Sequence, residues 1–241
     1  MDDARPLDGR VALVTGASKG IGAATAIALA SAGAHVILTA RDVKRLESVE
    51  DAIHDAGGSA TIAPLDLAEP DAIARLASAI AGRWDVLDYL ILSAAYLPNL
   101  TPVTQIDAKQ FGQALTINVM ATQAMLAAFD PMLKRAAAGR VIGLTSSVGA
   151  IPRAYWSAYA STKAAFENLL DSYAAEVEKL ANLRVAVIDP GATRTDMRAR
   201  AYPGEDPATV KSASDVADRI VALLQEDFPT RHRERIDGTS G

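Results

Sequence analysis

Residues 11–33 read VALVTGASKGIGAATAIALASAG, and their order decides the fold. Val11 to Thr15 are apolar or β-branched almost throughout, as in a strand covered on both faces. Glycines then stand at 16, 20 and 22, where the chain must turn tightly, and an alanine-rich run with helical character follows. A strand that enters a helix through so short a turn opens a strand–helix–strand unit.

The rest of the chain repeats that alternation. Residues 10–15, 35–40, 59–65, 86–93, 140–146 and 183–189 read as strands, and helices are expected near 20–32, 42–56, 69–82, 105–137 with a break, 157–181 and 213–227. Regular alternation implies an α/β fold: a single doubly wound, Rossmann-type domain over residues 1–241, its parallel sheet flanked by helices on both faces. Half of the 241 residues are hydrophobic and 22% are charged, which suits a folded chain with a sizeable core.

Composition removes several function classes. There is no cysteine, so disulfides, thiolate metal ligands and a cysteine nucleophile are excluded. His35, His54 and His232 are scattered without metal-ligand spacing, and no metal site is expected. A net charge of −5 disfavours nucleic acid as a partner, and the basic stretch RHRER, 231–235, reads as a solvated tail. No apolar run reaches the roughly 18 residues of a membrane span, and the first ten residues, MDDARPLDGR, are acidic and polar, unlike a signal peptide. A cytoplasmic protein without membrane contact is the expectation.

The glycine turn is where a ligand is expected. Gly16, Gly20 and Gly22 let backbone approach a diphosphate at the N-terminus of the first helix, where free N–H groups and the helix dipole favour negative charge. The second strand ends VILTARD, with Ala40 where an acid would bind a ribose 2′-hydroxyl, followed by Arg41. A guanidinium suits a 2′-phosphate, and Lys19 in the turn adds a second cation. Charge-assisted bonds of about 1.5–3 kcal/mol each predict a tenfold or greater preference for NADP(H) over NAD(H). Asp66, in PLDL, is placed to meet the adenine ring, with a helix N-cap as its competing role.

In SAYASTKAAF, 157–166, Tyr159 and Lys163 are one helical turn apart, so phenol and ammonium share a face. A neighbouring cation favours the phenolate.

The ordered motifs TGASKGIG, LDL, INV, LTSSVG, YASTK and DPGATRT resemble those of the short-chain dehydrogenase/reductase family, over essentially the whole chain. Residues 189–207, with Trp156 before the tyrosine, are similar to a bacterial subgroup of oxidoreductases without an established substrate. The resemblance implies that Tyr159 is the general acid or base of hydride transfer between nicotinamide and a carbonyl or alcohol. It implies that Lys163 lowers the tyrosine pKa and binds the nicotinamide ribose, and that Asn118 holds a relay water. Ser146, thirteen residues before Tyr159, would orient the substrate, with Ser147 as the other candidate. Cofactor contacts would come from Gly16, Ser18, Lys19, Gly20, Ile21, Gly22, Arg41, Asp66, Leu67, Ala94, Tyr159 and Lys163. Pro190 and Gly191 would turn beneath the nicotinamide, the backbone at Thr193 would meet its carboxamide, and Thr195 would reach a diphosphate oxygen. One motif departs: LSAA, 92–95, stands where the family has N-N-A-G, and only Ala94 agrees, which bears on cofactor affinity and local geometry.

On the substrate side Tyr96, Leu97, Ile151, Pro152, Tyr155, Trp156, Met197 and Tyr202 favour an apolar or aromatic carbonyl compound. Any of Arg153, Arg194, Arg198 or Arg200 entering the pocket would instead select an anion. Residues 194–212 read as a mobile lid that orders on cofactor binding. The helix bearing Tyr159 and its predecessor would, by resemblance, build a homodimer or homotetramer. The competing reading is a protein of the same fold that senses or scaffolds through NADP(H) without turnover.

Overall fold

Seven parallel strands form one sheet in the order β3-β2-β1-β4-β5-β6-β7 in the computed structural model, which describes residues 5–237. The strands are β1 (Val11–Thr15), β2 (His35–Thr39), β3 (Ser59–Ile62), β4 (Tyr89–Leu92), β5 (Gly139–Leu144), β6 (Leu183–Asp189) and β7 (His232–Arg235). The helices are α1 (Gly20–Ser31), α2 (Val43–Asp55), α3 (Ala72–Ala81), α4 (Ala108–Leu115), α5 (Ala121–Arg135), α6 (Ser157–Val177), α7 (Asp196–Ala201) and α8 (Ala213–Gln225). Residues 1–4, the start of the polar N-terminal stretch, and 238–241, the end of the expected domain span, lie outside the described residues.

The hydrophobic pattern explains the layering. β1, β4 and β5 are buried along their whole length, because helices cover both faces. On one face Leu29 of α1, Leu46 of α2 and Ile220 of α8 pack on Val14, Val36 and Ile188. On the other, Ile73 of α3, Phe129 of α5 and Phe166 of α6 pack on Leu13, Leu90 and Val185. Local chemistry sets the helix starts. Asp42 caps α2 by accepting from the Arg45 N–H, and Ser212 and Asp215 form a reciprocal capping box at α8.

The strand order reverses between β1 and β4, so a crevice opens beyond their carboxyl ends. The expected break in the long helix falls inside it: α4 and α5 are joined by a π-helical segment, Thr116–Met120. That extra residue per turn carries Asn118, which is 1% exposed.

The C-terminal expectation was wrong. RHRER is no solvated tail: residues 232–235 are β7, the edge strand, paired with β6 from Ala186↔His232 to Asp189↔Arg235. Its charges are partnered. Arg233 donates to Glu167 and to Asp171 of α6, each at 2.6 Å, and Glu234 meets Arg219 of α8 at 2.5 Å. A charged edge strand satisfies one side of its backbone while resisting further pairing on the other.

Glu167 is 8% exposed, so removing its cation leaves a poorly solvated carboxylate. Arg233→Ala is expected to lower stability by about 1–2 kcal/mol, between the values for exposed and buried pairs, with urea unfolding as the check. A change within error would show that β7 is held by its ladder alone.

Candidate active site

The crevice is a cleft of about 750 Å³ that runs from the end of β2, past the glycine turn, to Tyr159 and Lys163 of α6. Its lining brings together the predicted residues Gly16, Ser18, Lys19, Gly20, Ile21, Gly22, Arg41, Asp66, Leu67, Ala94, Tyr159, Lys163, Pro190 and Thr195. Asn118, Ser146, Gly191 and Thr193 do not line it, but each lies within two residues of one that does: Ile117, Thr145, Pro190 and Thr195.

The glycine turn has no room for side chains. A Cβ on Gly22 would lie 2.3 Å from the Gly16 carbonyl oxygen, and one on Gly16 would lie 2.9 Å from the Ala94 Cα. Gly16 also has φ +68°, in the left-handed region. The LSAA loop therefore rests directly on the turn. Thr15 holds it: its hydroxyl oxygen accepts from the Ser93 and Ala94 N–H groups at 3.0 and 3.1 Å. Local geometry at the departure from the family motif is thus kept by a side chain on β1.

At the adenosine end the cations have carboxylate neighbours. Lys19 Nζ lies 3.0 Å from Asp196 Oδ2, and Arg41 lies 4.0 Å from Asp66 rather than pairing with Asp42. Asp66 caps neither helix; its Oδ1 accepts from the Ala68 N–H in the turn before α3. Arg45, which sequence reasoning missed, brings a third cation into the same end, 3.3 Å from Asp42 and 3.7 Å from Asp196. Its place in the first turn of α2, just after Arg41 and the Asp42 cap, was the available signal. The donors suit a phosphorylated dinucleotide: backbone N–H groups in a tight turn for the diphosphate, and guanidinium forks for a further phosphate.

The other end is built on a close approach of α6 to β5. A Cβ on Gly143 would lie 2.2 Å from Leu170 Cδ1 and 2.8 Å from Phe166 Cζ, so a side chain there would force both to move. Lys163 can then donate to the Leu144 carbonyl at 2.8 Å, with its Nζ 5.8 Å from the Tyr159 ring centroid. Both side chains are buried, and burial sets their acidity. Desolvation lowers Lys163 to about 8 against a smaller opposing effect of Glu167. Tyr159 is pushed above its ordinary value by burial and by the Asp189 carboxylate. This corrects the expectation that Lys163 lowers the tyrosine pKa: in the protein by itself, desolvation of the phenolate dominates.

Asn118, expected to hold a relay water, also has structural partners. Its Nδ2 donates to the Tyr96 carbonyl and to Thr162 Oγ1, and its Oδ1 accepts from the Tyr96 N–H at 2.7 Å. The side chain clamps the loop after β4 to α6, leaving one Oδ1 lone pair for a water. Glu167, a turn beyond Lys163, accepts from the Thr145 hydroxyl at 2.5 Å and joins the end of β5 to β7 through Arg233.

Above this floor sit Leu97, Trp156, Met197 and Tyr202. Trp156 makes an edge contact with Tyr159 at 6.2 Å between centroids and a tilted one with Tyr202 at 5.8 Å. Arg198 pairs with Glu205 at 2.6 Å and Arg200 donates to the Leu97 carbonyl, while Arg153 reaches the Tyr202 hydroxyl at 3.3 Å. Residues 194–212 contain α7, and a bridge between Thr193, just before the segment, and Lys211 closes it. The Thr195 hydroxyl caps α7 through the Arg198 N–H.

The family model for short chain dehydrogenases matches residues 10–206, and the chain belongs to that family. It is 35% identical over 238 residues to the uncharacterized oxidoreductase YciK of Escherichia coli K12, covering 98% of this chain and 94% of that protein. A short chain dehydrogenase from Shigella flexneri, crystallised with NADP, matches with a TM-score of 0.91 at 34% identity, covering 96% of this chain and 98% of that one. Another, from Escherichia coli CFT073 with NADPH, gives a TM-score of 0.92 at 34% identity and the same coverage.

The depressed Lys163 carries a stability consequence. Its charge is disfavoured in the fold, a penalty fully present below pH 8 and removed as pH rises from about 8 to the unfolded value of 10.5. Lys163→Met is therefore expected to stabilise the protein at pH 7 by about 1–3 kcal/mol and to lose most of that advantage by pH 10. Urea unfolding of both proteins across that range checks it; a gain independent of pH would contradict it.

Proposed function

We propose that the protein is an NADP(H)-dependent oxidoreductase that interconverts a carbonyl compound and its alcohol. One observation carries the reading: a single cleft joins an arginine- and lysine-bearing end, suited to a phosphorylated adenosine, to a buried phenol–ammonium pair. Relatives crystallised with NADP and NADPH support the same cofactor. When bound, NADPH supplies hydride to the carbonyl carbon.

The protein's own residues supply the rest. A phenol held protonated by burial is a donor, so Tyr159 gives its proton to the carbonyl oxygen as charge develops there, and takes it back in the reverse reaction. Lys163 keeps two N–H bonds beyond the one to Leu144, for the two ribose hydroxyls. The Ser146 hydroxyl has no hydrogen-bond partner within the described residues, whereas Ser147 Oγ faces Arg153 at 3.5 Å; this supports Ser146 as the group that orients the carbonyl. The Pro190–Gly191 turn, Thr193 and Thr195 support the nicotinamide and diphosphate. With Arg198 and Arg200 already engaged, the apolar and aromatic wall favours an apolar or aromatic carbonyl substrate.

Tyr159→Phe should lower NADPH-dependent reduction of a panel of aryl and alkyl ketones by about 10²–10⁴-fold while NADPH binding, followed by nicotinamide fluorescence, stays within a few-fold. Binding without turnover in the wild type would favour the sensor reading instead.

A second copy of the chain is the proposed partner, through the α4–α5 and α6 faces. Met120 at 64% exposure and Leu115 at 36% are apolar side chains left on that surface. Light scattering at micromolar concentration is expected to give a multiple of 25.2 kDa, and Met120→Glu to shift it toward the monomer. A wild-type monomer would remove the proposal.

A further inference from the structure

Three cations stand at the adenosine end of the cleft, and three carboxylates face them. Two of the carboxylates have structural employment. Asp42 Oδ1 caps α2 through the Arg45 N–H at 3.2 Å, and Asp66 Oδ1 holds the Ala68 N–H at 2.9 Å. Asp196 differs. It belongs to α7, on the segment that crosses the cleft, and its contacts are with cations alone: Lys19 Nζ at 3.0 Å and Arg45 Nη1 at 3.7 Å, both to Oδ2. These are the same two groups, with Arg41, that the cofactor reading assigns to a 2′-phosphate.

From this arrangement we infer that Asp196 is a displaceable internal counter-ion for the 2′-phosphate site, and so a determinant of the choice between NADP(H) and NAD(H). The inference rests on the cofactor reading above. A dianionic phosphate arriving among Lys19, Arg41 and Arg45 competes with the carboxylate for the same N–H donors and repels it across a short distance. Asp42 and Asp66 cannot move without losing their backbone partners. Asp196 can, because its side chain is about two-thirds exposed and water replaces its cations at little cost. Displacement also frees one side of α7. The 2′-phosphate therefore releases the Asp196 tie between the 194–212 segment and the glycine turn, an effect NAD(H), with a hydroxyl at that position, does not produce. Asp196 thus lowers the affinity for the phosphorylated cofactor while coupling its arrival to the segment that walls the substrate side through Met197 and Tyr202.

Adenosine 2′,5′-bisphosphate and adenosine 5′-monophosphate are the probes, since they differ in the 2′-phosphate and lack the nicotinamide that would touch the lid elsewhere. Calorimetric titration should show that Asp196→Asn, which keeps the side-chain size, tightens the bisphosphate about three- to tenfold and leaves the monophosphate unchanged. In the wild type, which needs no substitution, saturating bisphosphate should speed tryptic cleavage after Arg198 and Arg200, and the monophosphate should not. Asp196→Asn should be cleaved at the faster rate without ligand. Unchanged or weaker bisphosphate binding by Asp196→Asn, equal tightening of both probes, or cleavage that the bisphosphate leaves unmoved or slows would overturn the inference. A wild type that binds the two probes equally would overturn the NADP(H) reading together with it, a result distinct from the others.

Discussion

Two backbones meet at the carboxyl end of β1 with no space between them for a side chain. Gly22 stands over the Gly16 carbonyl and Gly16 against Ala94, so α1 begins directly behind the β1 turn and the loop after β4 lies on top of it. The rest of the cleft depends on this contact. It aims the first N–H groups of α1 into the crevice at the point where the strand order reverses, and Thr15 ties the β4 loop to the same spot. The LSAA loop is thus held by hydrogen bonds from Thr15 of β1 and, at Tyr96, from Asn118.

A second close approach builds the opposite end. Gly143 lets α6 descend onto β5, and the descent buries an ammonium and a phenol together. Both groups pay in desolvation, visible as a lysine lowered to about 8 and a tyrosine moved upward. Stability is given up where perturbed acidity is useful, as is common at functional sites. Around the pair, Asn118 and Glu167 act as braces: one clamps the β4 loop to α6, the other joins Thr145 to the edge strand.

Much of this was legible in the sequence because it is carried by local pattern. The unbroken apolar runs of β1, β4 and β5 mark strands covered on both faces, the alanine-rich stretches between them favour helix, and the turn glycines mark themselves. What was hidden depended on tertiary placement. β7 is a short edge strand of alternating charges, whose partners lie on α6 and α8, so hydropathy marks it as a tail. Arg45 and Asp196 enter the cleft only through how α2 and α7 are oriented. The pKa of Tyr159 followed from burial, which spacing to Lys163 does not reveal. Asn118 was visible as a motif, whereas the π-helical segment that turns its side chain toward Tyr96 and Thr162 was not.

The most direct test of the account follows the hydrogen itself. The protein would be incubated with NADPH carrying deuterium at both C4 positions and with a panel of aryl and alkyl ketones, and the alcohols analysed by mass spectrometry and NMR. The account predicts one deuterium on the carbinol carbon and a hydroxyl proton drawn from solvent. Alcohol without label on that carbon, or no alcohol from any ketone while NADPH binds, would contradict it.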